Sequence, residues 1–148
     1  MRALVNQKLY FARLTLDQAT HPDSDEATHT ALLQASVFHL MTAYRCYLRE
    51  IAAHYRFSIE ADTAAAALTQ LSDRVVPELS ELAALERDDG WLARLERAYR
   101  AISAPLPVAA AQIPLVNLAE SITADVCREW LETLQNVVQE QRGQAQEW

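Results

Sequence analysis

The sequence predicts an all-α fold, a bundle of five or six helices in a single domain at residues 1–148. Three observations predict it. The 148 residues include 46 alanines and leucines but only two glycines, Gly90 and Gly143. Apolar residues recur at intervals of three and four along most of the chain, as they do on one face of an α-helix. A domain of this length buries roughly 68–70% of its unfolded surface, so we expect it to fold without metals or disulfides.

The first helix is predicted at about residues 3–20. One of its faces carries only apolar side chains, namely Val5, Leu9, Ala12, Leu16 and Ala19. The polar run at residues 21–24 ends this helix. Either Ser24 or Asp25 can cap the next one, because short oxygen-bearing side chains accept the first free backbone N–H groups.

The second helix, predicted at about 25–57, is the longest and forms the centre of the bundle. Its apolar seam comprises Leu33, Val37, Leu40, Tyr44, Tyr47 and Ile51. Further apolar residues widen the seam to an arc of roughly 160°, broader than the stripe of a surface helix. We therefore expect this helix to contact more than one neighbour.

Shorter helices follow. The third is predicted at about 63–73 behind a cap at Asp62 or Thr63. Pro77 can kink that helix or begin a new one, and we expect a new start because proline suits the first helical turn. The next two helices are predicted to end near Arg87 and Ile102, and the last to run from about Thr123 until it frays near Gly143.

Residues 103–120 interrupt the helical pattern. They contain three prolines and no charged residue before Glu120. Prolines disfavour a long helix, whereas the apolar composition is unlike that of a flexible linker. We expect an extended strap that packs over the bundle.

Charge and glycine content exclude several classes of function. The net charge is −7, and residues 57–148 hold 15 acidic against 7 basic side chains. General nucleic-acid binding is disfavoured, since it depends on neutralising phosphates with basic residues. The two glycines cannot form a glycine-rich phosphate loop or a G-x-S-x-G nucleophile elbow.

The sequence predicts a cytoplasmic protein. The N-terminal residues lack the uninterrupted apolar stretch of a signal peptide, and no window is long and apolar enough for a membrane span. Cys46 and Cys127 lie within helical patterns without ligand spacing, so we expect two reduced thiols in the core.

Metal binding has only half of a signal. Glu26 and His29 form one Glu-x-x-His step, of the kind that two helices contribute to di-iron bundles. The sequence holds no second copy. We therefore predict no metal site and no cofactor, although a small ligand or a metal inside the bundle stays an alternative.

The candidate binding residues are Arg45, Arg49, Arg56 and Trp148. The three arginines group on one flank of the second predicted helix, where they could receive an acidic peptide or a phosphate, or pair with carboxylates of neighbouring helices. Trp148 follows a polar run, so it either packs back onto the bundle or is available to a partner.

Arg49 and His54 also fit the Arg-x4–6-His pattern of the HEPN helical ribonucleases. In that resemblance an arginine and a histidine act on an RNA phosphodiester. In a straight helix, however, the two residues lie about 140° apart and would not converge on one phosphate. His54 groups instead with Glu50, four residues before it.

The chain also resembles a family of small, uncharacterised bacterial helical proteins, a domain of unknown function. The resemblance lies in residues 6–12 (Asn-Gln-Lys-Leu-Tyr-Phe-Ala), residues 50–52 (Glu-Ile-Ala) with Tyr55, and Trp130 with the closing Glu147 and Trp148. It implies a helical fold and no activity, and neither Arg49 nor His54 is among its recurring residues.

These observations lead to one expected function and one alternative. Broad apolar helix faces without a reactive constellation predict a non-enzymatic protein that acts through protein–protein interaction, with a homodimer as one form of it. The alternative is an HEPN-like ribonuclease that uses Arg49 and His54.

Overall fold

The computed structural model describes residues 1–104 and 122–146, which form six helices and no strand. The helices are α1 (Arg2–Ala19), α2 (Glu26–His54), α3 (Ala64–Gln70), α4 (Pro77–Arg87), α5 (Trp91–Ser103) and α6 (Ala124–Gln146). The predicted all-α bundle is confirmed. Of the predicted strap at 103–120, Ser103 is the last residue of α5, and residues 105–120 lie outside the described residues, as does Trp148.

Helices α1 and α2 form an antiparallel hairpin. The predicted apolar face of α1 is confirmed, since all five of its residues are buried. The hydroxyl groups of Thr15 and Ser36 lie 2.6 Å apart across the pair. Asp25 caps α2 by accepting a 2.7 Å hydrogen bond from the backbone N–H of Thr28, and this bond lowers the pKa of Asp25.

Helix α2 lies at the centre of the bundle, as predicted. Its 29 residues span about 43 Å, and it contacts α1, α4, α5 and α6. Twelve of its residues are buried. Cys46 is one of them, and both it and Cys127 on α6 are unbridged core thiols.

Helix α2 ends at His54, three residues before the predicted end. The backbone N–H of Phe57 donates to the carbonyl of Ala52, and that of Arg56 donates to Ala53, which is the Schellman arrangement. Arg56 has a φ of 64°. This left-handed conformation is usual for glycine at such an end, and here an arginine adopts it at a steric cost.

Helices α3 and α4 pack together, and α4 also contacts α2. Thr63 caps α3, which ends at Gln70 and not near Asp73. Glu86 on α4 accepts hydrogen bonds from the backbone N–H groups of Ala64 and Ala65 at the start of α3. Pro77 begins α4, which confirms the predicted new start.

Helix α6 lies antiparallel to α1. Three polar contacts along the pair establish this direction: Asp17 with Arg128, Arg13 with Gln135, and Asn6 with Arg142. The prediction that the last helix frays near Gly143 is wrong, because α6 continues to Gln146. Side-chain bonds from Gln141 and Arg142 offset the roughly 1 kcal/mol by which a glycine disfavours a helix interior.

None of the helices in residues 1–104 and 122–146 combines the length and the apolar character that a transmembrane segment needs.

Candidate functional site

Arg45 is held by two groups of the same chain. Its guanidinium lies 4.7 Å from the centre of the Tyr99 ring, and its Nη1 donates a 3.3 Å hydrogen bond to the Tyr99 hydroxyl. The Nε atom lies 3.6 Å from a carboxylate oxygen of Asp62. Arg45 therefore packs on Tyr99 and lies near one carboxylate of the same chain, which belongs to the segment before α3 and not to a neighbouring helix.

The predicted flank of three arginines does not form on one helix. Arg45 and Arg49 are four residues apart on α2, and Arg49 is half-buried. Arg56 is exposed and lies beyond the end of α2, in the left-handed residue that terminates the helix. Placing Arg56 on this flank was wrong because the helical phase stops at His54.

Arg49 and His54 do not come together either. The helix α2 includes both residues, so their separation of about 140° around its axis holds. His54 is exposed at the last position of α2, and its ring packs edge-on against that of Tyr55. Glu50, the predicted partner of His54, instead accepts hydrogen bonds from Arg142 of α6. The ribonuclease alternative stays a prediction without a shared site.

Arg142 of α6 is the centre of a polar cluster that includes side chains of two other helices. Its Nε and Nη2 donate 2.8 Å hydrogen bonds to the two carboxylate oxygens of Glu50 on α2. Its Nη1 donates a 2.9 Å bond to the side-chain oxygen of Asn6 on α1. The side chains of Arg142 and Glu50 are only 14% and 18% exposed. One guanidinium therefore joins three helices through a two-pronged, charge-assisted contact.

A second polar group lies next to this cluster. The buried Gln141 accepts a 2.9 Å hydrogen bond from the Tyr47 hydroxyl and donates one to a carboxylate oxygen of Glu81. The Tyr55 hydroxyl donates to Glu78. Burial raises the pKa of Tyr47, and burial together with the bond to Glu78 raises the pKa of Tyr55 to about 12. These hydroxyls are fixed as donors at neutral pH.

A groove of about 480 Å³ lies between α1 and α6, beside the Arg142 cluster. Leu9 and Val138, both buried, form its apolar floor. The remaining lining residues are Arg2, Asn6, Tyr10 and Arg13 of α1 and Gln135, Gln139, Arg142, Gly143 and Gln146 of α6. A smaller cavity of about 160 Å³ shares Arg2, Arg142 and Gln146 with this groove. We call the larger space the α1–α6 groove.

The α1–α6 groove is locally basic in an acidic protein. Its described lining residues include three arginines and four residues with carboxamide side chains, and no aspartate or glutamate. Glu50 neutralises Arg142, whereas Arg2 and Arg13 form no ion pair with a described residue. Within residues 1–104 and 122–146, two guanidinium charges of the groove are therefore left without a carboxylate partner. Carboxylate or phosphate oxygens are the groups that such a lining binds.

Arg2, Arg13 and Arg142 were not predicted from the sequence to be site residues. Each arginine lies at the border between the apolar stripe and the polar face of its own helix. Helical periodicity relates a residue only to those three or four positions away on the same helix, so it does not show which arginines of different helices lie together. The pairing of α1 with α6 was not evident from that pattern. Asn6 and Glu50, noted above for the family resemblance, both bind Arg142.

The histidines give no metal centre among residues 1–104 and 122–146. Within these ranges, no three histidine, cysteine, aspartate or glutamate side chains meet as they would around a metal ion. His29, half of the Glu-x-x-His step, has its Nδ1 atom 2.7 Å from the carbonyl oxygen of Ala19. That nitrogen links the start of α2 to the end of α1.

Comparison with known proteins identifies the family of the chain. Neither the curated proteins nor the solved structures gave a match. The model of one family, described as a family of unknown function, matches residues 1–148 and hence the whole chain. Its unknown function agrees with the resemblance noted from the sequence. The chain, an all-helical bundle with an arginine-lined groove, therefore belongs to the family of unknown function DUF6586.

Proposed function

We propose that this protein is a non-enzymatic binding protein whose α1–α6 groove takes an acidic segment of a protein partner. One observation carries the proposal: the groove places three arginines and no described carboxylate along its lining. Its volume of about 480 Å³ falls within the roughly 300–1,000 Å³ of ordinary ligand sites. The polar groups beside it already bond to one another, which suits binding better than proton transfer.

The guanidinium groups retain hydrogens for a ligand. Arg13 donates one described hydrogen bond, from Nη2 to Gln135, and Arg142 donates three. A guanidinium has five N–H bonds, so both can bind a further oxygen. Tyr10, 57% exposed, offers an aromatic wall next to them. Carboxylates of a peptide would meet directed donors and not only a diffuse positive field.

The overall charge favours a short acidic segment over a nucleic acid. The chain carries −7, which repels a long polyanion. At physiological ionic strength the Debye length is about 8 Å, so groups bound within the groove respond mainly to its own arginines. A short peptide benefits from the local charge, whereas an RNA would also meet the acidic surface around it.

We further propose that the protein works in the cytoplasm and associates with itself. The two free, buried cysteines suit a reducing compartment. Leu4 and Leu14 of α1 are 36% and 42% exposed, which gives a second copy an apolar surface to contact. A monomer at high micromolar concentration in light scattering would contradict self-association. The bacterial source implied by the resemblance remains a prediction.

The binding proposal is tested with a fluorescently labelled peptide of eight alternating aspartates and glutamates, measured by fluorescence anisotropy. We expect binding that weakens as salt is added, and no binding of the matched asparagine–glutamine peptide. Arg13→Gln and Arg2→Gln should each weaken binding about 3- to 10-fold, because each removes one charge-assisted contact.

Arg94→Gln is the matched control. Arg94 is an exposed arginine on α5 and does not line the groove, so this variant should bind like the wild type. Equal binding of the acidic and neutral peptides would refute the proposal. Tighter binding of a single-stranded RNA of equal length would show that the groove serves a different class of partner.

A further inference from the structure

Gly143 occupies an unusual position. It lies inside α6, three residues before the end of the helix, and it lines the α1–α6 groove beside Arg142. Glycine is less favourable than alanine in a helix interior, because it loses more backbone entropy. Neither a positive φ nor close packing requires a glycine here: apart from the chain neighbours of Gly143 and the backbone of α6 itself, no described atom lies within 4 Å of the point where a Cβ would be. A methyl group would enter open space.

The dimensions of the groove restrict the conformation of its ligand. Its lining runs from Arg2 to Arg13 on α1 and from Gln135 to Gln146 on α6, eleven residue steps on each helix. At 1.5 Å per residue this length is about 16 Å. Across the groove, Arg13 donates a 3.0 Å hydrogen bond to Gln135, and Arg142 donates a 2.9 Å hydrogen bond to Asn6. Side chains that bond directly leave no space between α1 and α6 for a ligand helix of about 10 Å diameter.

An extended peptide fits these dimensions. An extended chain rises about 3.3 Å per residue, so about five residues cover 16 Å. Arg2 and Arg13 lie at the two ends of the α1 lining. Two carboxylates that meet them would consequently be four or five residues apart in the peptide. Between these ends the peptide must pass the α6 wall at Gly143.

We infer that the α1–α6 groove binds an extended peptide with two carboxylates four or five residues apart, and that Gly143 is the specificity-determining residue that keeps its path open. This inference rests on the proposed function and specifies its ligand. The absent side chain lets the peptide backbone approach α6 between the two terminal arginines. The helix retains its least favourable ordinary residue at this point because a larger one would narrow the groove.

Gly143→Ala tests the role of the glycine. We expect its melting temperature to rise by about 2–4 °C, since alanine favours the helix. Its affinity for the acidic octapeptide should nevertheless fall about 10-fold, and Gly143→Leu should bind still more weakly. A loss of affinity together with a higher melting temperature cannot come from misfolding. Gly90→Ala, at the only other glycine and outside the groove lining, should bind like the wild type.

A series of labelled, otherwise uncharged peptides tests the spacing. Each carries two aspartates, placed two, four, five or eight positions apart. We expect the tightest binding at four or five positions, and an affinity that does not depend on spacing would overturn the extended geometry. If Gly143→Ala binds the octapeptide as well as wild type does, the role of Gly143 is refuted while the proposed function stands. If the wild type fails to bind the octapeptide, the proposed function itself fails.

Discussion

Two arginines of this protein, Arg142 and Arg45, are both partly buried beside a tyrosine ring, yet they are held in different ways. Arg142 donates three hydrogen bonds of 2.8–2.9 Å to Glu50 and Asn6. Arg45 packs closely on Tyr99, but its nearest carboxylate oxygen, on Asp62, is 3.6 Å away. The Arg45 Nε atom is buried and has no hydrogen-bond partner among the described residues.

The difference separates a directed contact from a loose one. Glu50 is 18% exposed, so water contributes little to solvating its charge, whereas Asp62 is 64% exposed and stays hydrated. Partly buried, two-pronged pairs lose much when one partner is removed, because the other charge is left without compensation. Exposed pairs contribute little. We therefore expect the removal of Arg142 to cost the bundle more stability than the removal of Arg45.

The largest effect should come from Arg142→Ala. The substitution leaves the Glu50 carboxylate half-buried and removes the link between α1, α2 and α6. We expect the free energy of unfolding to fall by about 2–4 kcal/mol, measured by urea denaturation. Glu50→Ala in the Arg142→Ala background should cost much less than Glu50→Ala alone. Additive losses in this double-mutant cycle would show that the pair is not coupled.

Tyr47→Phe should have a smaller effect in the same region. It removes the hydroxyl that donates to Gln141, leaving a buried amide oxygen without this donor. We expect a loss of about 1–2 kcal/mol in the free energy of unfolding. Tyr10→Phe is the matched control, because the Tyr10 side chain is exposed, and it should change stability by less than about 0.5 kcal/mol.

Arg45→Ala should cost about 0.5–1 kcal/mol, the range of a partly exposed cation–π contact. Its loose pair with Asp62 adds little, its Nε atom has no hydrogen-bond partner among the described residues, and the one hydrogen bond lost, from Nη1 to the Tyr99 hydroxyl, is long at 3.3 Å. Urea denaturation compares this variant directly with Arg142→Ala. If the two lose equal stability, the contrast between the directed and the loose contact is wrong.

Among these variants, Tyr55→Phe should change the free energy of unfolding least at neutral pH. Its pKa is raised from 10 to about 12 in the folded protein, through burial and the hydrogen bond to Glu78. Above pH 10 the unfolded chain releases this proton more readily than the folded one, so stability falls as pH rises from about 10 to 12. Tyr55→Phe should show a shallower decline over that window. Parallel declines in the two proteins would exclude this contribution.

Much of the fold follows from local patterns. The buried face of α1, the cap at Asp25 and the start of α4 at Pro77 depend on residues within a few positions of each other, where helical periodicity and backbone chemistry decide the outcome. The end of α2 was harder to predict from the sequence. The residue that terminates α2 in the left-handed conformation, with a φ of 64°, is an arginine and not the usual glycine. The sequence therefore lacks the usual signal for a helix end, and the predicted helix was three residues too long.

The candidate site was less predictable than the fold. Arg45 and Arg49 were found as polar neighbours on one helix, but the groove depends on α1 lying beside α6, more than a hundred residues away in sequence. Glu50 was paired with His54 by its helical spacing. In the folded chain its carboxylate binds Arg142 instead, because a two-pronged guanidinium contact is stronger than the exposed local pair.

By itself the sequence determined the helical class, the central second helix, the buried core thiols and the exclusion of glycine-dependent sites, because composition and 3.6-residue periodicity act within each helix. Only the tertiary structure decided which polar residues of different helices lie next to one another. Antiparallel packing of α1 on α6 brings Arg2, Arg13 and Arg142 to one groove, and it places Gly143 inside a helix wall. Such meetings depend on long-range packing, which a pattern of neighbouring residues does not encode.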